Sequence, residues 1–498
     1  MSKRLFYGIV LVLFLLTRWP IIINPGYLSS DGAIVGLQAR EMMAGTFELR
    51  GWERDYQTSF ESLLLLPFYE LFGATLEVQI WVNLLVQFLA VLLIADLCRR
   101  LAGEWAALVA VGPLLLLATM TSIYVIFGVR QWCTLLSVAS VWVAIPAQAR
   151  LSWARTALAL GLYSVALISD LFAIQFAPPL ALAVVLGHYR DATATPRLRR
   201  AAVAALVCIG AYVVTRQVRG SLGLSSSRGK LTLDQWNQSF PFFQDAFSFA
   251  LGAKSFSLSA GFASMPNSGA TPLLYGAAAI LFALALSGGV AFFARRMAPS
   301  IRTAGVMGAV CCVLSVAAFC FNISSDSVGA ARLFSPMMAL MPLALLPVVT
   351  SLRGRWRLVA IVPTLMLALG SWRSYDGMLN RWGLPQRTNF GNLTDDRQLV
   401  DELRKRGVQF AGAEYWTSYR LALIAEERPR VFPILGEDRR PQWKEQFEQS
   451  SVRAIVSSSA IVPMSLEDHA AKAVQEGLEV ERFEVGVYSA IVTRPKPP

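Results

Sequence analysis

The chain has 498 residues, of which 55% are hydrophobic and 16% are charged, and its 45 Lys and Arg against 33 Asp and Glu give a formal net charge of +12. Soluble proteins are about 25% charged, so this composition excludes an ordinary soluble protein. Residues 1–373 hold 28 basic and 15 acidic residues, whereas residues 374–498 hold 17 and 18. This distribution argues against nucleic-acid binding and predicts a membrane domain followed by a soluble domain.

The fold class is predicted to be mainly α, a polytopic helical membrane protein with about 11 spanning helices and a small C-terminal α/β domain. A bilayer-spanning helix needs about 20 mostly apolar residues. The candidate stretches, some of them short, are 5–23, 76–97, 105–124, 132–149, 154–168, 172–187, 201–214, 272–293, 303–321, 333–349 and 358–372. The first lacks a small-residue cleavage site and is interrupted by Arg18, so we predict an uncleaved first helix.

Lys and Arg alternate between the loops in a way that predicts the orientation. One set of loops holds 16 basic and three acidic residues, and the other holds 12 of each. The positive-inside rule therefore places the N-terminus in the cytoplasm, and an odd number of crossings places the C-terminal domain on the periplasmic or outer side of the cell inner membrane.

Two predicted outer loops are long, residues 24–75 and 216–270. The first contains an amphipathic helical pattern over residues 31–44 and an apolar run over 63–72 that is too short to span the membrane, so we interpret the run as interfacial or re-entrant. The second contains helix-like pieces around residues 236–251. Long ordered connections of this kind are commonly functional.

The tail is divided into a linker, residues 374–393, and a soluble α/β domain, residues 394–498. Its pattern predicts helices over 397–406, 415–425, 443–449 and 466–476, strands over 408–411, 430–434 and 454–457, and a closing hairpin of 481–485 and 488–492. It contains no GxGxxG, P-loop or nucleophile-elbow motif, so we assign no catalysis to it.

Cysteines and histidines exclude several kinds of site. The six cysteines lie in apolar stretches without CxxC spacing, and the chain has two histidines. We therefore predict no disulfide framework and no histidine- or cysteine-based metal site. No cofactor is required by the sequence, although carboxylates leave a divalent cation such as Mg²⁺ or Mn²⁺ open.

The first outer loop concentrates acidic residues, among them Asp31, Glu41, Glu53, Asp55, Glu61 and Glu70. On composition alone, a solvated loop of mixed charge is the simpler interpretation, because Arg40, Arg50 and Arg54 offset part of the negative charge. A functional acid in this loop is the alternative.

The run SSDGAIVGLQAREMMAGTF, followed by YQTSFESLLLLPFYELFG, resembles the first external loop of the GT-C glycosyltransferase superfamily. Within that superfamily it is similar to bacterial family-39-like membrane proteins, which have an Asp-x-Ala-x-x-Gly-Leu-x-Ala pattern. The tail segment AEYWTSYRLALIAEERPRV also resembles one found outside the membrane in those proteins. The matching strings cover about 55 residues.

This resemblance implies a donor sugar linked to a polyprenyl phosphate, chemistry at the outer face of the membrane, and Asp31 as the catalytic base. A carboxylate in that role accepts the proton of an acceptor hydroxyl as the hydroxyl attacks the anomeric carbon. Many relatives have Asp-Glu where this chain has Asp31 and Gly32. Any help from the missing Glu then comes from elsewhere, for example Glu61, or the site has degenerated.

Five further residues are candidates for substrate binding, each with a structural alternative. Arg332, in a segment similar to Arg-Tyr-Leu-x-Pro of the relatives, binds the lipid phosphate or anchors a helix at the interface, and Arg130 is a second phosphate candidate. Arg18 is expected to pair with a carboxylate or phosphate, and Asp170 is either functional or a helix cap. Glu61 either shapes the sugar site or simply begins the interfacial helix.

The leading hypothesis is an integral membrane hexosyl- or pentosyltransferase that moves a sugar from a polyprenyl-phosphate carrier to a lipid, glycan or protein acceptor at the periplasmic face. Direct displacement predicts inversion at the anomeric carbon. A lipid-carrier flippase or transporter is the first alternative, although we find no repeated pair of broken helices. A non-catalytic role in envelope assembly is the second.

Overall fold

The computed structural model describes residues 1–23, 28–52, 56–118, 130–146, 151–190, 194–224, 232–253, 272–293, 296–322, 328–352, 358–381, 393–436, 438–458 and 464–496. Glu53 and Asp55 of the first outer loop, and most of the predicted linker, lie outside these residues.

Helices make up most of the described membrane domain. They are α1 (Lys3–Ile23), α2 (Ser30–Met43), α3 (Phe60–Phe72), α4 (Leu76–Ala102), α5 (Glu104–Leu116), α6 (Gln131–Ala144), α7 (Trp153–Ser169), α8 (Ala177–Arg190), α9 (Ala194–Ser221), α10 (Leu233–Ala250), α11 (Pro272–Val290), α12 (Pro299–Cys320), α13 (Ser335–Ser351) and α14 (Leu358–Arg381). Short 3-10 helices, Leu171–Phe176, Ala291–Phe293 and Val328–Phe334, precede α8, α12 and α13.

Each predicted apolar stretch coincides with one of these helices. Among the described residues, seven segments are long and apolar enough to cross a membrane: Lys3–Ile22, Leu76–Ala102, Leu171–Tyr189, Pro196–Ser221, Pro272–Val290, Pro299–Cys320 and Ala330–Ser351. Helices α5, α6 and α7 are apolar but shorter. The mainly α, polytopic fold class is therefore confirmed, and a total of 11 crossings stays a prediction.

Two predicted loops begin later than expected because the preceding helix continues. Helix α9 extends to Ser221, into the predicted outer loop 216–270, and α14 extends to Arg381, into the predicted linker 374–393. The helical patterns predicted in the outer loops correspond to α2, α3 and α10.

Helix α4 has two polar ends that make different contacts. At its first turn, Gln79 Nε2 donates a hydrogen bond to the Gly32 carbonyl oxygen of α2, 2.7 Å away. At its last turns, Asp96 accepts hydrogen bonds from Tyr7 and Trp142 and pairs with Arg99 and Arg100, at 2.5 to 3.0 Å. These ends are about 25 Å apart at 1.5 Å per residue. The basic loops and the acidic first outer loop therefore lie at opposite ends of α4.

Small residues allow close helix packing around α12. A Cβ on Gly305 would lie 2.6 Å from the carbonyl oxygen of Gly288 on α11, and one on Gly308 would lie 2.8 Å from Cβ of Ala344 on α13. Such contacts replace the hydrophobic driving force, which is weak between helices in lipid. They fix α12 and α13, whose ends border the candidate site.

The C-terminal domain contains α15 (Leu393–Lys405), α16 (Tyr415–Ile424), α17 (Pro441–Gln449) and α18 (Leu466–Gln475), with strands β1 (Phe410–Glu414), β2 (Arg430–Leu435), β3 (Arg453–Ser458), β4 (Leu478–Val485) and β5 (Tyr488–Pro495). The strand order is β2-β1-β3-β5-β4. Strand β1 pairs in parallel with β2 and β3, and β5 pairs antiparallel with β3 and β4. The predicted small α/β domain is confirmed.

Only β1 is clearly displaced from its predicted position, residues 408–411. Gly407 adopts φ +72°, and its amide donates to the Arg404 carbonyl oxygen at 2.9 Å, while the Val408 amide donates to the Leu403 carbonyl oxygen at 3.1 Å. These bonds satisfy the last carbonyl groups of α15. The strand therefore begins at Phe410, after the helix end is closed.

Candidate active site

Asp31 lies in the first turn of α2. The Ser29 side chain caps this helix by accepting a hydrogen bond from the Gly32 amide at 3.3 Å. The first turn of a helix favours a negative charge because unpaired amide groups and the helix dipole point towards it. Asp31 is also buried, with 8% of its surface exposed. The sequence therefore places a largely desolvated carboxylate at a helix N-terminus.

Two residues from distant parts of the chain contact the two oxygens of Asp31. The Tyr415 hydroxyl donates a short hydrogen bond to Oδ1. Arg332 Nη1 lies 3.7 Å from Oδ2. The structure thus brings the two leading sequence candidates, Asp31 and Arg332, together. It adds Tyr415, which the sequence analysis did not single out although it lies in the tail segment quoted for the resemblance.

Arg332 also lines a cavity of about 720 Å³. The polar part of its lining consists of three arginines with tyrosine, aspartate and asparagine: Tyr56, Arg130, Asp170, Arg216, Asn322 and Arg332. Gln175 also lines the cavity. The other lining residues are apolar: Leu171, Phe172, Ile174, Pro178, Leu314, Ala317, Ala318, Phe321, Ala330 and Leu333. Guanidinium groups suit phosphate oxygens, and apolar walls suit an acyl or isoprenoid chain.

Arg130 and Asp170 form one unit in this cavity. Arg130 Nε lies 3.0 Å from Asp170 Oδ2, and its guanidinium carbon is 5.1 Å from the centre of the Phe172 ring. Asp170 Oδ1 accepts a hydrogen bond from the Phe172 amide at 2.7 Å. Asp170 therefore caps the 3-10 helix before α8, which is the structural role considered from the sequence, and also pairs with a cavity arginine. Its predicted role in substrate binding stays a prediction.

Glu61 contacts the residues that directly follow Arg130 and caps the start of α6. Its carboxylate accepts hydrogen bonds from the amides of Gln131, Trp132 and Cys133 at 3.2 to 3.4 Å. Burial raises the pKa of Glu61 to about 8, although the three amide hydrogen bonds favour the charged form. The geometry makes Glu61 a cap for the helix that follows Arg130. Its predicted role in sugar binding stays a prediction.

Arg18 is fully buried in α1 and contacts the end of α5. Its Nη1 donates to the Leu115 carbonyl oxygen at 2.8 Å, and its guanidinium carbon lies 4.6 Å from the centre of the Phe14 ring. These contacts use a carbonyl oxygen and an aromatic face, and the predicted carboxylate or phosphate partner stays a prediction. Because α5 ends at Leu116, Arg18 satisfies a carbonyl group that the helix leaves unpaired.

Arg216, near the end of α9, is a cavity arginine that was absent from the sequence candidates. It has no flanking motif, and the outer position of the α9 end was its only signal. No cluster of three or more His, Cys, Asp and Glu side chains suited to a metal ion occurs within the described ranges. A divalent cation, which the sequence leaves open, stays an open alternative.

No protein-family model matches the sequence, and no curated protein matches it. Among solved structures, ArnT from Cupriavidus metallidurans bound to undecaprenyl phosphate is 15% identical, with a TM-score of 0.53 over 98% of this chain and 97% of that chain. The same protein in the apo state is 14% identical, with a TM-score of 0.44 and the same coverage. The Archaeoglobus fulgidus oligosaccharyltransferase in the apo form is 14% identical, with a TM-score of 0.48 over 92% of this chain and 70% of that chain.

At these identities the comparison is one of fold. The match to ArnT with bound undecaprenyl phosphate extends over the membrane helices and the C-terminal α/β domain, since it covers nearly the whole of both chains. This chain therefore has the fold of ArnT, in agreement with the helical membrane domain and C-terminal α/β domain predicted from the sequence.

Proposed function

We propose that the protein is an integral membrane glycosyltransferase that moves a sugar from a polyprenyl-phosphate carrier to an acceptor at the outer face of the cell inner membrane, with inversion. One observation carries the proposal. The Asp31 carboxylate lies beside Arg332, and Arg332 lines a large cavity that combines two further arginines with an apolar wall. That combination suits a phosphate attached to a lipid chain.

Asp31 is the proposed general base. An acceptor hydroxyl attacks the anomeric carbon of the donor sugar, and an Asp31 oxygen takes the hydroxyl proton as the new C–O bond forms. The bond between the anomeric carbon and the phosphate oxygen breaks, and the polyprenyl phosphate leaves with the bonding electrons. A single displacement of this kind inverts the configuration at the anomeric carbon.

The arginines are proposed to bind the leaving phosphate. Negative charge grows on the phosphate as the glycosidic bond breaks, so cations already aimed at it stabilise the transition state. Arg332 is nearest to Asp31, and Arg130 is oriented by Asp170. Arg216 adds a third guanidinium to the same cavity.

The polyprenyl carrier is supported by chemistry and by fold. The cavity wall formed by the 3-10 helix Leu171–Phe176 and the end of α12 is apolar. The structure of ArnT that shares this fold contains bound undecaprenyl phosphate. We therefore assign the donor to the same class of lipid phosphate.

The outer-face location is proposed from charge. The site lies at the end of α4 opposite to Asp96, Arg99 and Arg100, and the loops at that opposite end belong to the basic set. The positive-inside rule assigns the basic end to the cytoplasm. The N-terminus would then be cytoplasmic, and the C-terminal domain would be periplasmic.

The test is transfer by purified full-length protein in detergent. Mass spectrometry of lipid-linked sugars and surface glycans, compared between cells with and without the protein, first identifies the donor and acceptor. Asp31→Asn is expected to lower the rate of transfer by about 10²- to 10⁴-fold, the usual contribution of a general base. Asp401→Asn, an equivalent change at an exposed position of α15, is the control and should retain the wild-type rate.

Retained transfer by Asp31→Asn would remove Asp31 from the mechanism. Wild-type protein that moves the lipid carrier across a vesicle membrane, without transferring its sugar, would replace the proposal with the flippase alternative.

A further inference from the structure

The Tyr415 hydroxyl connects the C-terminal domain to the candidate base. It donates to Asp31 Oδ1, while Arg332, which lines the cavity, lies near Oδ2. We infer that Tyr415 is a positioning residue for Asp31, through which the C-terminal α/β domain completes the active site. This inference rests on the proposed function, because it gives Tyr415 a role only if Asp31 acts as the base.

Rotation of the Asp31 carboxylate is the freedom that Tyr415 restricts. The χ2 angle of aspartate is broad, so one contact at 3.7 Å does not fix the orientation of the carboxylate plane. A hydroxyl donor on Oδ1 fixes that oxygen on the side of the C-terminal domain. Oδ2 is then held on the side of Arg332, which lines the cavity, and is the oxygen proposed to receive the acceptor proton.

Tyr415 is itself held in place by its neighbours. It is the first residue of α16, and the Glu414 side chain caps this helix by accepting a hydrogen bond from the Trp416 amide at 2.7 Å. Gly436 packs against it with φ +102°, and a Cβ at Gly436 would lie 2.8 Å from Tyr415 Cβ. Only glycine readily combines that backbone conformation with such close packing.

The far end of α16 is fixed to α2 as well. Arg40 Nη1 donates to the Leu423 carbonyl oxygen at 2.8 Å. Gly36 leaves room for Leu423, whose Cδ1 would lie 3.1 Å from a Cβ at that position. The Asp31 and Arg40 contacts are about 13 Å apart along α2, and Tyr415 and Leu423 are about 12 Å apart along α16. The two helices therefore run side by side in the same direction, joined at both ends.

A second group of contacts holds the domain against the first outer loop. Arg440 forms ion pairs with Glu41 and Glu48 and stacks over Trp52, with its guanidinium carbon 4.3 Å from the centre of the ring. Tyr415 thus approaches Asp31 from a docked domain and not from a single side-chain contact. Displacement of the domain would remove the hydrogen bond to Asp31.

Tyr415→Phe tests the inference because it retains the ring and removes only the hydroxyl. The matched control is Tyr419→Phe, one turn further along α16, whose hydroxyl lies 3.2 Å from Asp438 Oδ1. The full-length protein in detergent is assayed for kcat, for KM of the lipid-linked donor and for thermal unfolding. Tyr415→Phe is expected to lower kcat about tenfold while the donor KM stays within about twofold, as expected for loss of one hydrogen bond to a charged group. Tyr419→Phe should leave kcat unchanged.

A second measurement does not depend on transferase activity. The rate at which a water-soluble carbodiimide modifies Asp31 is followed by mass spectrometry of the same three proteins. Loss of the Tyr415 hydroxyl should speed modification of Asp31 severalfold, and loss of the Tyr419 hydroxyl should not.

Asp31→Asn separates the two proposals. If Asp31→Asn is inactive while Tyr415→Phe matches the wild type in kcat and labelling, this inference is overturned and the proposed function is not. If Tyr415→Phe and Tyr419→Phe lower kcat and stability together, Tyr415 is only a packing residue and the inference is likewise overturned. If Asp31→Asn is active, the proposed function fails, and faster labelling in Tyr415→Phe would still establish the contact.

Discussion

The same three residue types, aspartate, arginine and tyrosine, meet both in the candidate active site and inside the C-terminal domain. In the candidate active site, Asp31 contacts Arg332 and Tyr415. Inside the C-terminal domain, Asp396 pairs with Arg420 and accepts a hydrogen bond from the Tyr488 hydroxyl at 2.6 Å. Both sets join parts of the chain that are distant in sequence. Their chemistry alone would not distinguish a catalytic carboxylate from a structural one.

The surroundings of the two sets differ. The Asp396 and Arg420 side chains are 0% and 1% exposed and form a direct ion pair. The Asp31 and Arg332 side chains are 11% and 31% exposed and 3.7 Å apart, and Arg332 lines the large cavity. The buried Asp396 pair is not accessible to a ligand. The partly exposed Asp31 pair, with Arg332 at the cavity, has room for a substrate. We therefore expect substitutions to affect stability at Asp396 and activity at Asp31.

The largest expected effect is the loss of stability caused by substitution of Asp396. Asp396→Asn leaves the Arg420 charge buried without its carboxylate, and breaking a buried pair in this way costs about 3–5 kcal/mol. Thermal unfolding of the purified protein should show a large drop in melting temperature. Asp31→Asn, at the more open pair, should unfold at nearly the wild-type temperature. A similar loss of stability in both variants would contradict the distinction between a closed and an open pair.

Substitution of Arg332 is expected to have a smaller effect, on transferase activity. Arg332→Ala is expected to lower kcat/KM for the lipid-linked donor about 10- to 100-fold, because it removes one cation from the proposed phosphate site. Arg332→Lys should recover part of this loss, since lysine supplies the charge without the planar fork of donors. Steady-state kinetics with both variants makes the measurement. An unchanged kcat/KM in Arg332→Ala would make Arg332 an interfacial anchor.

The last expected effect is the pH dependence of stability at Glu61. The pKa of Glu61 is raised to about 8 in the folded protein from 4.5, so between these values the folded state binds more protons than the unfolded state. Stability from this group is present below pH 4.5 and is lost as the pH rises through 8. Melting temperatures from pH 5 to 9 should therefore fall more in the wild type than in Glu61→Gln. Parallel curves would show that Glu61 is ionised throughout.

Hydrophobic pattern was sufficient for most of the fold. Apolar runs identified the membrane helices, since every predicted stretch coincides with a helix. The alternation of patterns in the tail identified the α/β domain, and only the position of β1 was clearly displaced, by the hydrogen bonds that close α15. These elements are predictable because their residues are neighbours in sequence. The exact ends depend on caps and turns, which are weaker signals.

The candidate site was only partly predictable. Asp31 was found through its motif, and Arg332 and Arg130 through their positions at predicted outer helix ends. Tyr415 was not selected, because nothing in the tail pattern shows which residue reaches the membrane domain. Glu61 and Arg18 were recognised as unusual charges, but their contacts with the amides of α6 and the carbonyl end of α5 depend on which helices are adjacent.

The sequence by itself determined that this is a membrane protein with an α/β tail, because burial of apolar side chains in lipid is a local property of composition and period. It also determined that an acid stands at the start of an amphipathic helix, in the loop that follows the first apolar helix. Only the tertiary structure decided which side chains surround that acid. Tyr415 and Asp31 are separated by 384 positions, and their hydrogen bond exists because α16 packs along α2. Packing of distant helices, rather than local sequence, therefore created the difference between the open Asp31 site and the closed Asp396 pair.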